Sequence, residues 1–407
     1  MILRARQVLT AGHRLLDNGA VRIEDGVIAE VGPRRDLGGG PVEDLGDCLL
    51  MPGFVNAHIH LELTHLAGKV PAHGGLFDWL VGLVEQIVAG GDDPEVVRQS
   101  VRTGRDLCLA VGVTTVGDIS RLTRLTRSVL ADGPLRVLSF GEVIAVGKLR
   151  DRLNERLDAA ADATHRSRFL EVGLSPHSPY SLEPDAFAAC ARRATADGLR
   201  MCVHLAETAE EAAFTTALTG EVRDYLQRCG FWDDRIPCPG RSPVACAAAA
   251  GVLGPATVLA HVNYVDDDEI DRLAAAGVHV AYCPRTHAAF GQPPHRFAEM
   301  LDRGINVCLG TDSLASNPDL SILGELRFLR ETLPGCSSQR LIEMATIRGA
   351  RALGFEKCAG SLAAGKAADL VVVPLDRAAD DRWDSILTSV QPPAAVYVAG
   401  QKIDIPR

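Results

Sequence analysis

Eight short runs rich in Val and Ile recur along most of the 407-residue chain, and longer segments with helical periodicity separate them. In chain order they are GFVNAHIH, VTTVGD, RVLSFGEVI, EVGLSPH, MCVHLAE, TVLAHV, VHVAYC and INVCLGTD. Eight strand–helix units over about 300 residues predict a (β/α)8 TIM barrel. A doubly wound open sheet is the alternative, but no glycine-rich phosphate-binding turn follows the first run. We therefore expect an α/β protein built on a barrel.

The two ends of the chain differ from the middle, because both contain short strands separated by turns. The first part contains ILRARQVLT and GAVRIEDGVIAEVG, and the last part contains AADLVVVPL and AAVYVAGQKI. Isolated strands of this kind need partners, and the opposite end of the chain offers them. We predict one small β-sandwich domain composed of residues 1–52 and 363–407, with the barrel of residues 53–362 inserted in it.

Charge and cysteine usage restrict the class of partner. A net charge of -10 and a pI of about 5.7 are of the wrong sign for a nucleic-acid polymer. The basic group Arg121, Arg124 and Arg127 is interpreted as one solvated helix face. The chain has no secretory apolar segment and no membrane-spanning run, and its 11 cysteines are scattered. We expect a reduced cytoplasmic protein with a small-molecule substrate and no membrane partner, and homo-oligomerisation is left open.

Most of the predicted strands end in a residue that can carry chemistry. These residues are His58 and His60, Asp118, Glu142, His177, His204 followed by Glu207, His261, and Asp312. The carboxyl ends of parallel barrel strands open on one face, where active sites of this fold lie. Separate helix caps would explain any one of these residues. Their repetition favours a shared polar site.

The spacing of His58 and His60 indicates a metal site. Residues i and i+2 of a strand point to the same side, so both imidazoles face the barrel axis. Together with His204 and Asp312 they offer three nitrogens and one carboxylate. Zn²⁺ suits this set best, with Fe²⁺ or Mn²⁺ as alternatives.

At this point the sequence resembles a known family. The segments PGFVNAHIHLEL, VHLAET, LAHVNYV and LGTDS, in that order, and the tail GSLAAGKAADLVVV are similar to the amidohydrolase superfamily, in its deaminase and chlorohydrolase branch. The resemblance covers nearly the whole chain. It implies a barrel with a composite β domain and one catalytic divalent metal bound by His58, His60, His204 and Asp312.

The resemblance also implies catalytic roles. His261 falls where the family has a histidine that binds the metal or polarises its water, and a bound metal lowers the pKa of water towards about 7. Asp312 can accept a proton from that water. Glu207 is expected to protonate a ring nitrogen and then the leaving group. A carboxylate favoured by a helix dipole is the alternative for Glu207.

A second metal is not expected. Two-metal members of the superfamily usually bridge their metals with a carboxylated Lys or a Glu at the end of strand 4. Here that strand ends in His177 without a lysine, and Glu171 opens it. His177 resembles the substrate-binding histidine of nucleoside-type deaminases. A hydrogen-bonded structural histidine is the alternative.

The loops, rather than the metal site, must select the substrate. HLEL and GLFDWLVGLVEQIV resemble deaminases of aminodeoxyfutalosine, a modified adenosine. Adenosylhomocysteine-type deaminases share the Trp-Leu pair and add a carboxylate on the next helix for the ribose hydroxyls, for which Glu85 is the nearest candidate. Trp79, with Phe77 and Phe290, is predicted to form an apolar wall for an aromatic base.

Arg285, with Arg296 nearby, is predicted to bind a substrate carboxylate through its planar fork, and loop bracing is the alternative. We therefore expect a metal-dependent hydrolytic deaminase of a purine-type heterocycle that releases ammonia, with aminodeoxyfutalosine as the first candidate. Alternatives are an adenosylhomocysteine or methylthioadenosine deaminase and a chloro-triazine or formimino hydrolase. A non-catalytic scaffold on the same barrel is the remote alternative.

Overall fold

A computed structural model describes residues 1–70, 75–376, 381–389 and 391–404. In chain order its strands are β1 (Ile2–Leu9), β2 (Leu15–Glu24), β3 (Val27–Pro33), β4 (Val42–Asp44), β5 (Cys48–Pro52), β6 (Phe54–Ile59), β7 (Val113–Ser120), β8 (Arg136–Val143), β9 (Leu170–Pro176), β10 (Met201–Leu205), β11 (Thr257–His261), β12 (His279–Tyr282), β13 (Asn306–Leu309), β14 (Leu370–Pro374), β15 (Ala395–Val398) and β16 (Gln401–Lys402).

Helices fill the connections between the strands. The α-helices are α1 (Leu76–Gln86), α2 (Pro94–Ala110), α3 (Thr123–Leu130), α4 (Leu153–Ala161), α5 (Pro184–Asp197), α6 (Ala209–Ala217), α7 (Glu221–Arg228), α8 (Pro243–Ala249), α9 (Asp267–Ala276), α10 (Pro284–Ala289), α11 (Phe297–Asp302), α12 (Ile322–Thr332), α13 (Ser338–Met344), α14 (Ile347–Leu353) and α15 (Asp384–Thr388). Two 3-10 helices, Leu61–Leu66 and Gly147–Arg152, and a π-helical segment, Ile87–Gly91, complete the list. No helix in the described part of the chain is both long and apolar enough to cross a membrane.

The strands β6 to β13 form the predicted barrel. They are parallel and follow one another in chain order, so each run identified in the sequence forms one strand of the barrel. The backbone amides of Thr311 and Asp312 donate to the carbonyl oxygen of His58, which joins the last strand to the first. All residues of β6 and β7 are buried, as expected for strands covered on both faces. The (β/α)8 prediction is confirmed.

Apolar packing closes one end of the barrel. Ala350 and Leu353 of α14 belong to the same apolar cluster as Val55 and Val258, which lie near the starts of their strands. The functional end is therefore the opposite one, where the strands finish.

The two chain ends pair with each other, as predicted, and they do so in one sheet. Its order is β16-β15-β14-β5-β1-β2-β3, with β4 paired to β1. The antiparallel pairing of β14 with β5 attaches the last strands to the first ones. Leu3, Val8, Leu50, Leu370 and Val372 share its apolar core. The domain limits proposed from the sequence stay a prediction.

The interpretation of Arg121, Arg124 and Arg127 as one solvated face is wrong. Only Arg124 is exposed, with 65% of its side chain accessible. Arg127 is fully buried, and its guanidinium donates to the hydroxyl and carbonyl of Ser139 and to the carbonyls of Ala160, Asp162 and Gly173. Burial lowers the pKa of Arg127 to about 10, which is still high enough to keep the charge. Arg127 therefore ties α3 to the neighbouring strands.

We expect Arg127→Met to lower the free energy of unfolding by at least about 3 kcal/mol, because several buried carbonyls lose their donor. Arg124→Met is the matched control and should cost no more than about 1 kcal/mol, since its ion pair is exposed. Thermal unfolding of the two variants measures the difference. Equal melting temperatures would show that the buried hydrogen bonds of Arg127 do not stabilise the fold.

Candidate active site

The carboxyl ends of the barrel strands open on a cavity of about 820 Å³, including its mouth. Its lining includes His60, Glu62, Leu63, Leu76, Trp79, Leu80, Leu83, Val84, Ile87, Arg121, Glu142, Ile144, His177, Tyr180, His204, Glu207, Tyr225, His261, Asp312 and Ser313. Most of the strand-terminal residues singled out from the sequence are in this set. His58 and Asp118 are not, because both are fully buried, and the Asp118 carboxylate accepts a hydrogen bond from the Leu61 backbone amide (2.9 Å).

Four of the predicted residues meet at the floor of the cavity. One ligand atom from each of His58, His60 and His204 lies within 4.8 Å of the others. Asp312 Oδ1 lies 3.3 Å from His60 Nε2 and 3.7 Å from His58 Nε2. The ring of His261 is centred 5.3 Å from that of His58 and 5.4 Å from that of His204. The cluster offers nitrogen and carboxylate ligands from four different strands or strand ends.

The hydrogen bonding of these histidines fits a divalent metal. His58 Nε2 and His261 Nε2 are buried without a hydrogen-bond partner among the described residues. His204 Nδ1 donates to the carbonyl of His177 (3.3 Å), which leaves its Nε2 free as a ligand. Burial lowers the pKa of His60 and of His261 to about 3, and it lowers the pKa of His58 and His204 far below the usual value. Neutral imidazoles with unpartnered nitrogens are what a metal ion requires.

Asp312 is held in place from two sides. Ser316 Oγ donates to Asp312 Oδ2 (2.9 Å), so that Oδ1 faces the histidines. Gly310 permits the close approach of this segment to β6, since a Cβ there would lie 2.8 Å from the His58 carbonyl oxygen. Asp312 itself adopts a left-handed backbone conformation, with φ of 58°.

We expect Ser316→Ala to weaken metal binding by roughly 10-fold to 100-fold, the usual effect of losing a hydrogen bond to a metal ligand. Ser128→Ala is a control, because the Ser128 hydroxyl binds only a nearby helix carbonyl at the surface. Metal content after dialysis against a graded chelator measures the effect. Identical retention in the two variants would mean that Ser316 does not orient Asp312.

Other strand ends at the cavity also have unusual backbone conformations. Ala206, His261 and Val262 adopt positive φ values of 51°, 71° and 55°. Such conformations cost of order 1–3 kcal/mol each for residues other than glycine and concentrate at functional sites. They turn the chain sharply where His261 and Glu207 enter the cavity.

Glu207 lies beside the histidine cluster and is held by its backbone. Its amide donates to Glu211 Oε2 (2.8 Å), and its carbonyl accepts from Asn263 Nδ2 (2.9 Å). Its Oε1 lies 3.5 Å from His261 Nε2. Burial, followed by the charges of Asp312 and Glu211, raises the pKa of Glu207 well above the usual value. A carboxyl group that keeps its proton can deliver it within the cavity.

His177 and Glu142 line the wall next to the cluster. The ring of His177 is centred 4.7 Å from that of His204. His177 Nδ1 is hydrogen-bonded to Ser181 Oγ (2.7 Å), so its Nε2 faces the cavity, 3.8 Å from Glu142 Oε1. Tyr180 packs edge-on against His177. The predicted binding position of His177 is therefore accessible to a ligand.

The outer wall of the cavity is apolar. Leu76, Leu80, Leu83 and Val84 of α1 line it with Trp79. Trp79 Nε1 is buried and has no hydrogen-bond partner in the described ranges, and the indole ring packs edge-on against Phe290. Of the three aromatic residues predicted to form a wall for the base, Trp79 lines the cavity and Phe290 packs against it. Binding of an aromatic base there stays a prediction. Phe77 packs instead against Tyr180, behind the lining.

Arg285 does not line the cavity, and the structure does not support its predicted contact with a substrate. Its Nε donates to Glu325 (2.7 Å), and its terminal nitrogens donate to Asp319 (3.0 and 2.7 Å) and to the carbonyl of Ser321 (3.1 Å). These contacts are the loop bracing considered as the alternative. Arg296 is likewise paired, with Asp267 and Glu299.

Sequence reasoning missed two charged residues in the cavity, Arg121 and Glu62. Both terminal nitrogens of Arg121 bind Asp92. The two oxygens of Glu62 accept from the backbone amides of Arg121 (3.1 Å) and Leu122 (3.0 Å). Arg121 follows the end of β7, so the rule that strand ends face the site could have identified it.

Glu171 lies far from this site. It is exposed near the start of β9 and pairs with Arg166 (3.0 Å). Within residues 1–70, 75–376, 381–389 and 391–404, one cluster has the geometry of a metal site. The prediction of a single metal stays a prediction.

A barrel that gathers three neutral histidines and an aspartate at its carboxyl end defines a class of divalent-metal hydrolases. Residues 49–403 match the amidohydrolase family, and the chain belongs to it. It is a hydrolase of non-peptide carbon–nitrogen bonds.

Individual relatives extend this comparison. The chain is 32% identical to a 5-methylthioadenosine/S-adenosylhomocysteine deaminase of Desulfovibrio desulfuricans, over 89% of this chain and 81% of the relative. Two solved structures share the fold. An adenosine deaminase of Xanthomonas campestris with bound zinc has a TM-score of 0.83 and 24% identity, over 98% of this chain and 92% of the other. A Helicobacter pylori aminofutalosine deaminase complexed with methylthio-coformycin has a TM-score of 0.87 and 20% identity, over 99% and 100%.

Proposed function

We propose that the protein is a zinc-dependent hydrolytic deaminase of an adenosine-like nucleoside that carries a 5′ substituent. The main observation behind this proposal is the position of Glu207. Its buried carboxyl group lies beside the four candidate metal ligands, in a cavity with an apolar wall. The Desulfovibrio desulfuricans relative and the zinc in the Xanthomonas campestris structure support it.

In the proposed reaction, water adds to C6 of the purine, the bond from C6 to the amino nitrogen breaks, and ammonia leaves. His58, His60, His204 and Asp312 would hold the zinc ion, which would supply the Lewis acidity that activates the water. Asp312 accepts a proton from the water, and Glu207 donates a proton to N1 of the ring. Glu207 then takes the proton of the new C6 hydroxyl and passes it to the amino nitrogen, so that ammonia leaves and C6 keeps a carbonyl. The proton held by Asp312 returns to Glu207 and restores the site. His261 supports both steps through its position next to Glu207.

Two groups orient the purine in this proposal. His177 presents Nε2 to the ring edge, because Ser181 occupies its other nitrogen. Trp79 offers an apolar surface, and its buried indole N–H has no hydrogen-bond partner in the part of the chain that the structure describes. A flat base with several ring nitrogens satisfies both groups.

The outer wall favours an apolar 5′ substituent such as the methylthio group of 5′-methylthioadenosine. Burying a methylthio group against Leu80, Leu83 and Ile87 removes apolar surface from water. Arg285 and Arg296, the basis for expecting a carboxylate on the substrate, are already paired with acidic groups.

Aminodeoxyfutalosine is the second candidate, and Arg121 is the observation that favours it. Arg121 lines the cavity, and its guanidinium is the type of group that binds a benzoate. Asp92 already binds both of its terminal nitrogens, so a benzoate tail would compete with that pair.

Ammonia release from 5′-methylthioadenosine, adenosylhomocysteine, adenosine and aminodeoxyfutalosine tests these assignments, with metal content determined on the same samples. The highest kcat/KM on methylthioadenosine would support the apolar tail, and the highest on aminodeoxyfutalosine would support Arg121. If metal-loaded protein released no ammonia from any of the four nucleosides, this result would contradict the deaminase proposal and favour a chloro-triazine or formimino substrate.

A further inference from the structure

One carboxylate in the cavity, that of Glu142, has no assigned role and no hydrogen-bond partner among the described residues. Glu142 ends β8, and only 9% of its side chain is accessible. None of the hydrogen bonds found among the described residues involves its oxygens, and Glu142 Oε1 lies 3.8 Å from His177 Nε2. That distance is too long for a hydrogen bond. A carboxylate buried in this way is costly unless a ligand supplies donors.

The other carboxylates of the cavity are engaged. Both oxygens of Glu62 accept backbone amides, Asp312 faces the histidines, and Glu207 lies against His261. Glu85, the helix carboxylate considered from the sequence, is exposed and does not line the cavity. Glu142 is therefore the free acceptor on the wall.

We propose that Glu142 accepts hydrogen bonds from the sugar hydroxyls of the nucleoside and so selects ribonucleosides over their deoxy forms. This inference rests on the proposed deaminase function. The two oxygens of a carboxylate match two neighbouring hydroxyl donors, and hydrogen bonds of this charge-assisted kind are strong.

The position of Glu142 along the cavity supports this assignment. His204 belongs to the metal cluster, His177 lies next to His204, and Glu142 lies next to His177 on the side of the cavity wall. In adenine, N1 and C6 are at one end of the base, whereas N3 and the sugar-bearing N9 are both bonded to C4. With C6 at the cluster and N1 at Glu207, the sugar points away from the cluster. His177 and Glu142 line the cavity beside the cluster, within reach of a sugar placed there.

Nearby charges favour the accepting form of Glu142. Burial raises its pKa to about 7, and the positive charges of Arg121 and Arg156 oppose that rise. The 3.8 Å separation leaves Glu142 without a hydrogen bond to His177. The carboxylate is thus available to a ligand rather than committed to its neighbour.

The test compares kcat/KM for adenosine, 2′-deoxyadenosine and 3′-deoxyadenosine in wild type, Glu142→Gln and Glu142→Ala. We expect wild type to prefer adenosine by roughly 10-fold to 100-fold over at least one deoxy form. Both variants should lose most of that preference through a higher KM for adenosine, with kcat changed less and metal content unchanged. Glu85→Gln is the matched control and should keep the wild-type ratios.

Three other outcomes would overturn the assignment of Glu142 to sugar binding, and their kinetics differ from one another. Retained ratios in both Glu142 variants would remove Glu142 from sugar binding while leaving the deaminase proposal intact. An equal loss on all three nucleosides would assign Glu142 to positioning His177 instead. No ammonia from any adenosine-like nucleoside with metal-loaded wild type would refute the proposed function, and this inference with it.

Discussion

Glu207→Gln is expected to retain its metal and to lose at least about 100-fold in turnover, the usual scale of a general acid. The amide has nearly the same shape as the carboxyl group but has no acidic proton to transfer. The backbone contacts that hold residue 207, to Glu211 and Asn263, do not involve its side chain. The substitution therefore removes the proton donor while leaving its surroundings in place.

Steady-state ammonia release and metal analysis of the same preparation measure this effect. Glu171→Gln is the control, because Glu171 is exposed near the start of its strand and pairs only with Arg166 among the described residues. A Glu207→Gln enzyme with full turnover would exclude Glu207 as the proton donor.

Asp312→Ala and His60→Ala are expected to weaken metal binding by at least about 100-fold and to abolish turnover, since each removes a ligand of the cluster. Asp312→Ala removes the ligand itself, whereas Ser316→Ala removes only one hydrogen bond to it, so the effect of Asp312→Ala should exceed that of Ser316→Ala. Both variants should still fold, because the barrel core lies below the cluster.

Elemental analysis after dialysis reports the metal, and circular dichroism reports the fold. Asp302→Ala is a suitable control, since Asp302 is exposed and pairs with Arg340 at the surface. Undiminished metal content in Asp312→Ala or His60→Ala would show that the ligand assignment is wrong.

The barrel and the group of candidate metal ligands could be predicted from the sequence for one physical reason. Each strand of a parallel barrel reads as a short apolar run, and each run ends at the same face of the molecule. His58, His60, His204 and Asp312 could therefore be grouped without knowing any contact between them. The alternation along β6 was enough to give His58 and His60 a common direction.

The residues whose surroundings were predicted wrongly from the sequence are held by contacts between distant segments. Arg127 has the spacing of a surface residue, yet its guanidinium donates to four carbonyls outside its own helix. Arg285 looked free until Asp319 and Glu325, more than thirty positions later, were seen to bind it. Helical periodicity describes a face of one helix, but it does not tell which neighbour covers that face.

The hydrogen bonding of Glu142 could not be predicted from its position in the sequence either. Its place at a strand end was evident from the sequence. The absence of a hydrogen-bond donor to it among the described residues became clear only from the structure, in which Arg121 binds Asp92 and Glu62 accepts two backbone amides. Strand ends predict which residues enter a cavity. Their hydrogen-bond partners decide which of them remain free for a substrate.

The most direct test of the central claim is the stoichiometry of the reaction with 5′-methylthioadenosine and zinc-reconstituted protein. We predict one ammonia for each purine converted to its 6-oxo form, with activity lost on chelation and restored by zinc. Nucleoside consumed without ammonia, or full turnover after the metal has been removed, would contradict a metal-dependent deaminase.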